Sequence, residues 1–205
     1  GAVDRRSGFA LVFSDRYLLA IALMILVLNW VNSTGEYMLG RMVKSAAETA
    51  VASGAAGGLT GKEYIGAFYS KFYFIVNLLG LVLQLFAVSR LLKWFGVRVA
   101  VMVLPLIALS GYAFLAFFPL LSVVRWVKTA ENATDYSLQN TIRNVLFLPT
   151  SRSQKYKAKQ AIDGFFVRSG DVLSAGLVAV GAALGFALTD FARVNFVLAL
   201  CWVAL

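Results

Sequence analysis

Seven polar residues recur at spacings of three and four along one otherwise apolar segment: Arg125, Lys128, Glu131, Asn132, Asp135, Gln139 and Arg143. At about 100° per residue they occupy a sector of about 120° on one helix face. A charge at the bilayer centre costs at least about 2.5–3.5 kcal/mol, so such a stripe faces a cavity or other polar helices rather than lipid. Arg125, Lys128 and Arg143 suit anion binding through charge-assisted hydrogen bonds, with Asn132 and Gln139 as neutral donors beside them. The alternative is a set of ion pairs such as Lys128–Glu131–Asp135 that knits the bundle together. The stripe runs nearly the whole segment, which favours a water-filled pathway.

Other segments carry weaker patterns. Asn29, Asn32, Ser33, Glu36 and Gly40 share a face of an earlier helix. Ser70, Asn77 and Gln84 recur every seven residues, a pattern that suits interhelical hydrogen bonding as well as a pathway. Lys71 beside them either snorkels from a helix end or binds an anion. Arg168 and Asp171 stand three apart and can pair with each other, and Asp163 can pair with nearby basic residues. Gly170, Gly176, Gly181 and Gly185 suit close helix packing. Gly61-Lys62 follows a glycine-rich stretch, but position 56 is Ala56 and the next residue is Glu63, so it is not a phosphate loop. Asn32-Ser33-Thr34 and Asn132-Ala133-Thr134 match the glycosylation pattern by chance, because both lie inside helical spans.

The elements that must position these residues are membrane helices. The chain has 205 residues, 60% hydrophobic and 14% charged, against roughly 45–50% and 25% in soluble domains. It has no His and a single cysteine, Cys201, which excludes an imidazole base, a disulfide framework and a zinc finger. Apolar runs of about 20 residues cross a bilayer. They read as residues 17–43, 64–89, 97–118, 121–148 and 161–188, with 194–205 the start of another. The chain begins with Gly1 and stops within an apolar run, so it reads as a fragment, with 1–16 a lead-in too charged to be a signal peptide. The fold class expected is all-α integral membrane.

Basic residues set the orientation. Arg5, Arg6 and Arg16, then Arg90, Lys93 and Arg98, then Arg152, Lys155, Lys157 and Lys159 fall in loops of one parity, 3 + 3 + 4 = 10 of 19 basic residues. The opposite loops hold Lys44, Lys62 and Arg193. The basic loops and the N-terminus are therefore cytoplasmic, and the positive charge marks topology rather than nucleic-acid binding. Six spans with both ends inside is the pattern of half a transporter built from two six-helix halves.

The segment Asp135–Asp163 resembles the ATP/ADP translocase family of bacterial parasites and plastids, whose fold looks like that of the major facilitators. The resemblance rests on Tyr136-Ser137-Leu138, Arg143, Pro149 and the run Lys155-x-Lys157-x-Lys159 ending Ala161-Ile162-Asp163. It implies the C-terminal six-helix half of a twelve-helix carrier in the bacterial inner membrane. That carrier would exchange nucleotide or another anionic solute without enzymatic chemistry or cofactor, with the N-terminal half and the lipid bilayer as partners. Asn29 and Glu36 fall where the family has an Asn and a functional Glu, which implies a coupling or gating role for Glu36. The chain departs from the family at Asp135 and Asp171, where the exchangers carry lysines, and at Asn144, where they carry a Glu. Within the spans Lys71, Arg125, Lys128, Arg143 and Arg168 balance Glu36, Glu131, Asp135, Asp163 and Asp171, 5 − 5 = 0. A nucleotide site needs a local basic excess. A proton-coupled carrier of a smaller solute, with Glu36, Asp135 or Asp171 titrating, is therefore the first alternative. A non-transporting scaffold is the second.

Overall fold

The computed structural model describes residues 7–151 and 154–205; Arg5, Arg6 and Arg152, counted above, lie outside the described residues. Those residues form helices α1 (Gly8–Ser14), α2 (Arg16–Ala52), α3 (Gly61–Val82), α4 (Val88–Phe117), α5 (Leu121–Thr134), α6 (Asn140–Leu146), α7 (Lys159–Ala161), α8 (Val167–Ala183) and α9 (Leu188–Ala204), with no strand among them. Three wider π-turns at Leu83–Ala87, Asp135–Gln139 and Ile162–Phe166 join neighbouring helices without a loop, and a fourth at Gln154–Ala158 leads directly into α7.

Three helical stretches are long and apolar enough to cross a membrane: 16–52, 61–117 and 155–183. The stretch 61–117 contains two of the expected spans, because the expected loop Arg90–Arg98 stays helical to Phe95 and breaks only at Gly96, whose φ of 73° is left-handed. The fourth expected span is helical from Leu121 to Leu146, and its charge density sets it apart from those three. α9 has 17 residues and starts at Leu188, earlier than expected, so Arg193 lies within a helix and pairs with Asp190 at 3.2 Å.

Two further boundaries move outward for the same reason, strong helix formers without a breaker. α2 continues past Val43 through an alanine-rich turn, where Lys44 and Glu48 pair at 4.0 Å. Residues 154–160, expected as a loop, are helical and rich in Lys, Gln and Ala. At Thr60 a capping box starts α3: the Thr60 hydroxyl accepts from the Glu63 amide, and the Glu63 carboxylate accepts from the Thr60 amide. That assigns Gly61-Lys62-Glu63 a helix-starting role.

The basic ends converge. The Tyr17 hydroxyl donates to the Leu146 carbonyl at 2.7 Å, and Lys159 donates to Asn144 Oδ1 at 2.8 Å. Leu146 also touches both the apolar cluster of Val88, Ala100, Leu138 and Ile142 and that of Leu11, Leu18, Phe147 and Ile162. At the other end Arg41 donates to the Phe186 carbonyl at 3.1 Å, and a cavity of about 670 Å³ lies among Arg41, Ser53, Pro119 and Leu188. Loops of like parity thus gather at like ends, as the charge pattern requires. Between them the main core joins α2, α3, α4, α5 and α9 through Met38, Phe72, Tyr112, Val124, Phe191 and Trp202.

Candidate functional site

The polar stripe runs over α5, the π-turn that follows it and α6; its Lys128, Glu131, Asn132 and Gln139 are buried, and Arg125, Asp135 and Arg143 are half-buried. Lys128 is enclosed, its side chain 1% exposed. Its ammonium donates to Glu131 Oε2 at 3.0 Å and to Asn32 Oδ1 at 2.6 Å, and it lies 3.4 Å from Glu36 Oε1. Asn132 donates to the same Glu36 oxygen at 2.9 Å, and the Tyr112 hydroxyl donates to Glu131 Oε2 at 3.0 Å. One cation is thus held between two carboxylates, one on α5 and one on α2, with an α4 phenol closing the far side.

Local sequence explains the geometry. Lys128, Glu131 and Asn132 lie three and four apart, so α5 presents all three on one side. Asn32 and Glu36 are one turn apart on α2, facing them. Gly35 opens the space between: a Cβ there would meet the Tyr112 hydroxyl and lie 3.0 Å from Lys128 Cδ. A small residue is required at that notch because Lys128 crosses α2 at backbone distance.

The two carboxylates differ in access. The Glu131 side chain is 6% exposed and that of Glu36 is 32% exposed. Glu36 is therefore the edge of the cluster that reaches the surface, within electrostatic reach of Tyr69, Tyr73 and Tyr136. With all three groups ionised the cluster carries a formal charge of −1, since Lys128 meets two carboxylates. Asp135, one turn further on, is half-buried, and its side chain makes no ion pair or hydrogen bond to another described residue. It extends the acidic excess.

The remaining site candidates separate. Arg143 pairs with Asp163 at 3.1 Å, away from Lys128. Arg125 is half-buried and lies over the Trp126 ring at 5.6 Å. Lys71 is exposed. Gln139 is buried and its Oε1 lacks a partner among the described residues. Asp171 accepts from the Ser33 hydroxyl at 2.7 Å and lies 3.6 Å from Arg168, the pairing that the spacing allowed. The lysine expected to be solvated in a cavity is instead enclosed in an ion-pair network. That network contains Glu131, as the alternative reading held, but Glu36 takes the place given to Asp135.

Ser70, Asn77 and Gln84 are all exposed and bond to no other helix of this chain among the described residues. Their heptad lies on the outer face of α3 and of the π-turn that follows it, so the hydrogen bonds expected between helices are absent among the described residues. Tyr112 is the site residue that spacing could not reveal: its one signal is a phenol in an apolar helix. Among the described residues no group of three or more His, Cys, Asp or Glu side chains could hold a metal ion. No protein-family model, no curated protein and no solved structure matches the chain.

Proposed function

We propose that this chain is the membrane-embedded half of a secondary transporter that works by alternating access, with Glu36 as the coupling carboxylate. The supporting observation is the shape of the charge cluster: one buried lysine between two carboxylates, of which only Glu36 reaches the surface. When Glu36 takes up a proton, Lys128 loses one of two anionic partners and keeps Glu131, to which Tyr112 also donates. The contact between α2 and α5 then weakens while the deeper pair persists. A bundle of the major-facilitator type can use such a contact as a latch between outward- and inward-facing states, with no covalent chemistry.

This favours a proton-coupled carrier of a small solute over a nucleotide exchanger. Of the cations offered for anion binding, Lys128 and Arg143 are engaged by carboxylates. Exchange of nucleotide or another anion is the second reading. It rests on Arg125 and Lys71, which pair with no carboxylate among the described residues.

The test is reconstitution in liposomes carrying an internal pH dye, challenged in turn with ATP, ADP, inorganic phosphate, a neutral amino acid and a sugar. The coupled reading expects one solute to move protons, and Glu36→Gln to abolish that movement while the protein still folds. Exchange of labelled ATP for ADP without proton flow would replace it with the second reading. An inert protein in every arm would leave the scaffold.

A further inference from the structure

We infer that the groove between the start of α4 and the π-turn of the α5 stripe is a binding site for one anionic glycerophospholipid. The site lies apart from the Lys128 cluster and needs only that the chain be embedded in a bilayer. α3 and α5 approach closely at Gly80, where an added Cβ would lie 3.7 Å from the Ala133 carbonyl oxygen. Beyond that contact each helix passes into a π-turn, Leu83–Ala87 on one side and Asp135–Gln139 on the other. Between the two turns and the first turns of α4 lies a cavity of about 510 Å³ bordered by Phe86, Leu91, Trp94, Val103 and Leu138. That volume falls within the range of small-molecule sites, roughly 300–1,000 Å³.

Most of the lining is apolar: Thr134 adds one hydroxyl, and Ser137 turns its own to its helix, donating to the Ala133 carbonyl at 2.6 Å. A solute that needs hydrogen bonds has little to hold there, whereas an acyl chain needs none. At the rim the chemistry changes. Arg90 lines the groove, Lys93 stands one turn on, and Arg98 follows the Gly96 break. No acidic residue occurs between Glu63 and Glu131, and none of the three cations pairs with another described residue. Trp94, 70% exposed, completes the rim with an amphipathic ring of the kind enriched at headgroup depth.

A phospholipid satisfies both halves of the site: a chain in the groove and a phosphate on Arg90 and Lys93, which form charge-assisted hydrogen bonds to it. A protein segment covering the groove would have to bring carboxylates of its own, because buried cations without partners are strongly unfavourable.

The experiment uses the whole chain in phosphatidylcholine vesicles, with acyl-brominated phosphatidylglycerol or acyl-brominated phosphatidylcholine added at rising mole fraction. The difference in fluorescence between the protein and its Trp94→Phe variant isolates one of four tryptophans. Quenching of Trp94 is expected to saturate at low mole fraction of the anionic lipid and to follow bulk composition with the zwitterionic one. Each surface cation contributes about fivefold in preference for anionic lipid, so Arg90→Ala should lower the selectivity about fivefold and the Arg90→Ala, Lys93→Ala pair about twenty-five-fold. Ala87→Phe, which fills the groove, should leave only bulk quenching. Phosphatidylglycerol retained by the unmodified protein through detergent washing, read by mass spectrometry, tests the same site without substitution. Equal curves for the two lipids, selectivity unchanged by the double substitution, or a Trp94 that neither lipid quenches would each overturn the assignment, the last by showing protein over the groove.

Discussion

α2 meets two helices through opposite chemistry. Against α8 the contact is close and nearly neutral. Gly170 lies so near that an added Cβ would be 2.6 Å from the Leu26 carbonyl oxygen and 2.9 Å from the Trp30 amide nitrogen. Thr34 and Ser174 share a hydrogen bond of 2.9 Å, and Ser33 donates to Asp171. Against α5 the contact is made by long charged side chains that converge on Lys128. Close backbone packing has few alternative arrangements, since interiors tolerate little change in volume. A lysine with two carboxylates has at least two, one for each choice of partner. The α8 seam thus reads as the fixed side of α2 and the α5 seam as the side that can change.

Lys128→Met tests the charged seam hardest. It strands Glu131 and Glu36 with no cation, and removing one partner of a buried ion pair costs about 3–5 kcal/mol. The expected outcome is a large fall in thermal midpoint in detergent, partly recovered when Glu131→Gln removes the stranded charge as well. A double variant no more stable than Lys128→Met alone would dissolve the idea of a coupled cluster.

Gly170→Ala tests the other seam. The backbone of α2 cannot give way as a flexible side chain would, so overpacking of about 1–3 kcal/mol is expected. The effect should appear as lower stability with solute responses, if any, unchanged. Gly176→Ala is the control, because nothing lies within 4 Å of the position where its Cβ would be.

The contrast explains what could be read from residue order. The α5 stripe and the α2 stripe were visible as periodicities, and the inward turn of Lys128 and Glu131 followed from the cost of charge in lipid. That Asn32 and Glu36 would meet Lys128 rather than Ser33 doing so was not visible, because adjacent positions on one helix differ by only about 100° and the rotation of α2 is set by packing. Ser33 in fact turns to Asp171 on α8. Basic charge between two apolar runs marked Arg90–Arg98 as a loop, yet Leu and Lys keep most of it helical and only Gly96 breaks it. Of the four glycines expected to pack closely, Gly170 and Gly181 do so, whereas Gly185 takes a φ of 73° at the turn before α9 and Gly176 faces open space. Small residues announce that close approach is possible; the partner decides where it happens.

A smaller effect is expected at the hydroxyl pair. Thr34→Val removes the bond to Ser174, together with the hydroxyl's own bond to the Trp30 carbonyl at 3.0 Å, while keeping the shape of the side chain. Hydrogen bonds between membrane helices average about 0.6 kcal/mol and reach about 1.7. Thr34→Val and Ser174→Ala together should cost no more than the larger of the two alone, because each removes the same bond. Additive losses in thermal melts would mean that the hydroxyls act separately and that the neutral seam is held by contact alone.

The smallest effect is expected from Arg168→Ala, and it sharpens the comparison because it too removes a cation from a carboxylate. Arg168 is 83% exposed and lies 3.6 Å from Asp171, whereas Lys128 is 1% exposed and lies 3.0 Å from Glu131. Exposed ion pairs contribute about 0–1 kcal/mol, since water screens the charges and the long side chain gives up conformational freedom to make the contact. At this chain length 1 kcal/mol moves the melting midpoint by about 2–4 °C, so the expected shift is no larger than that. Asp171 retains the Ser33 hydroxyl as its partner, 2.7 Å away. It therefore stays in the seam with α2 when Arg168 is gone, and Asp171→Ala, which removes both contacts, should destabilise more than Arg168→Ala. If Arg168→Ala instead destabilised as much as Lys128→Met, the α8 seam would be as dependent on charge as the α5 seam, and the division of α2 into a fixed and a changeable side would fail.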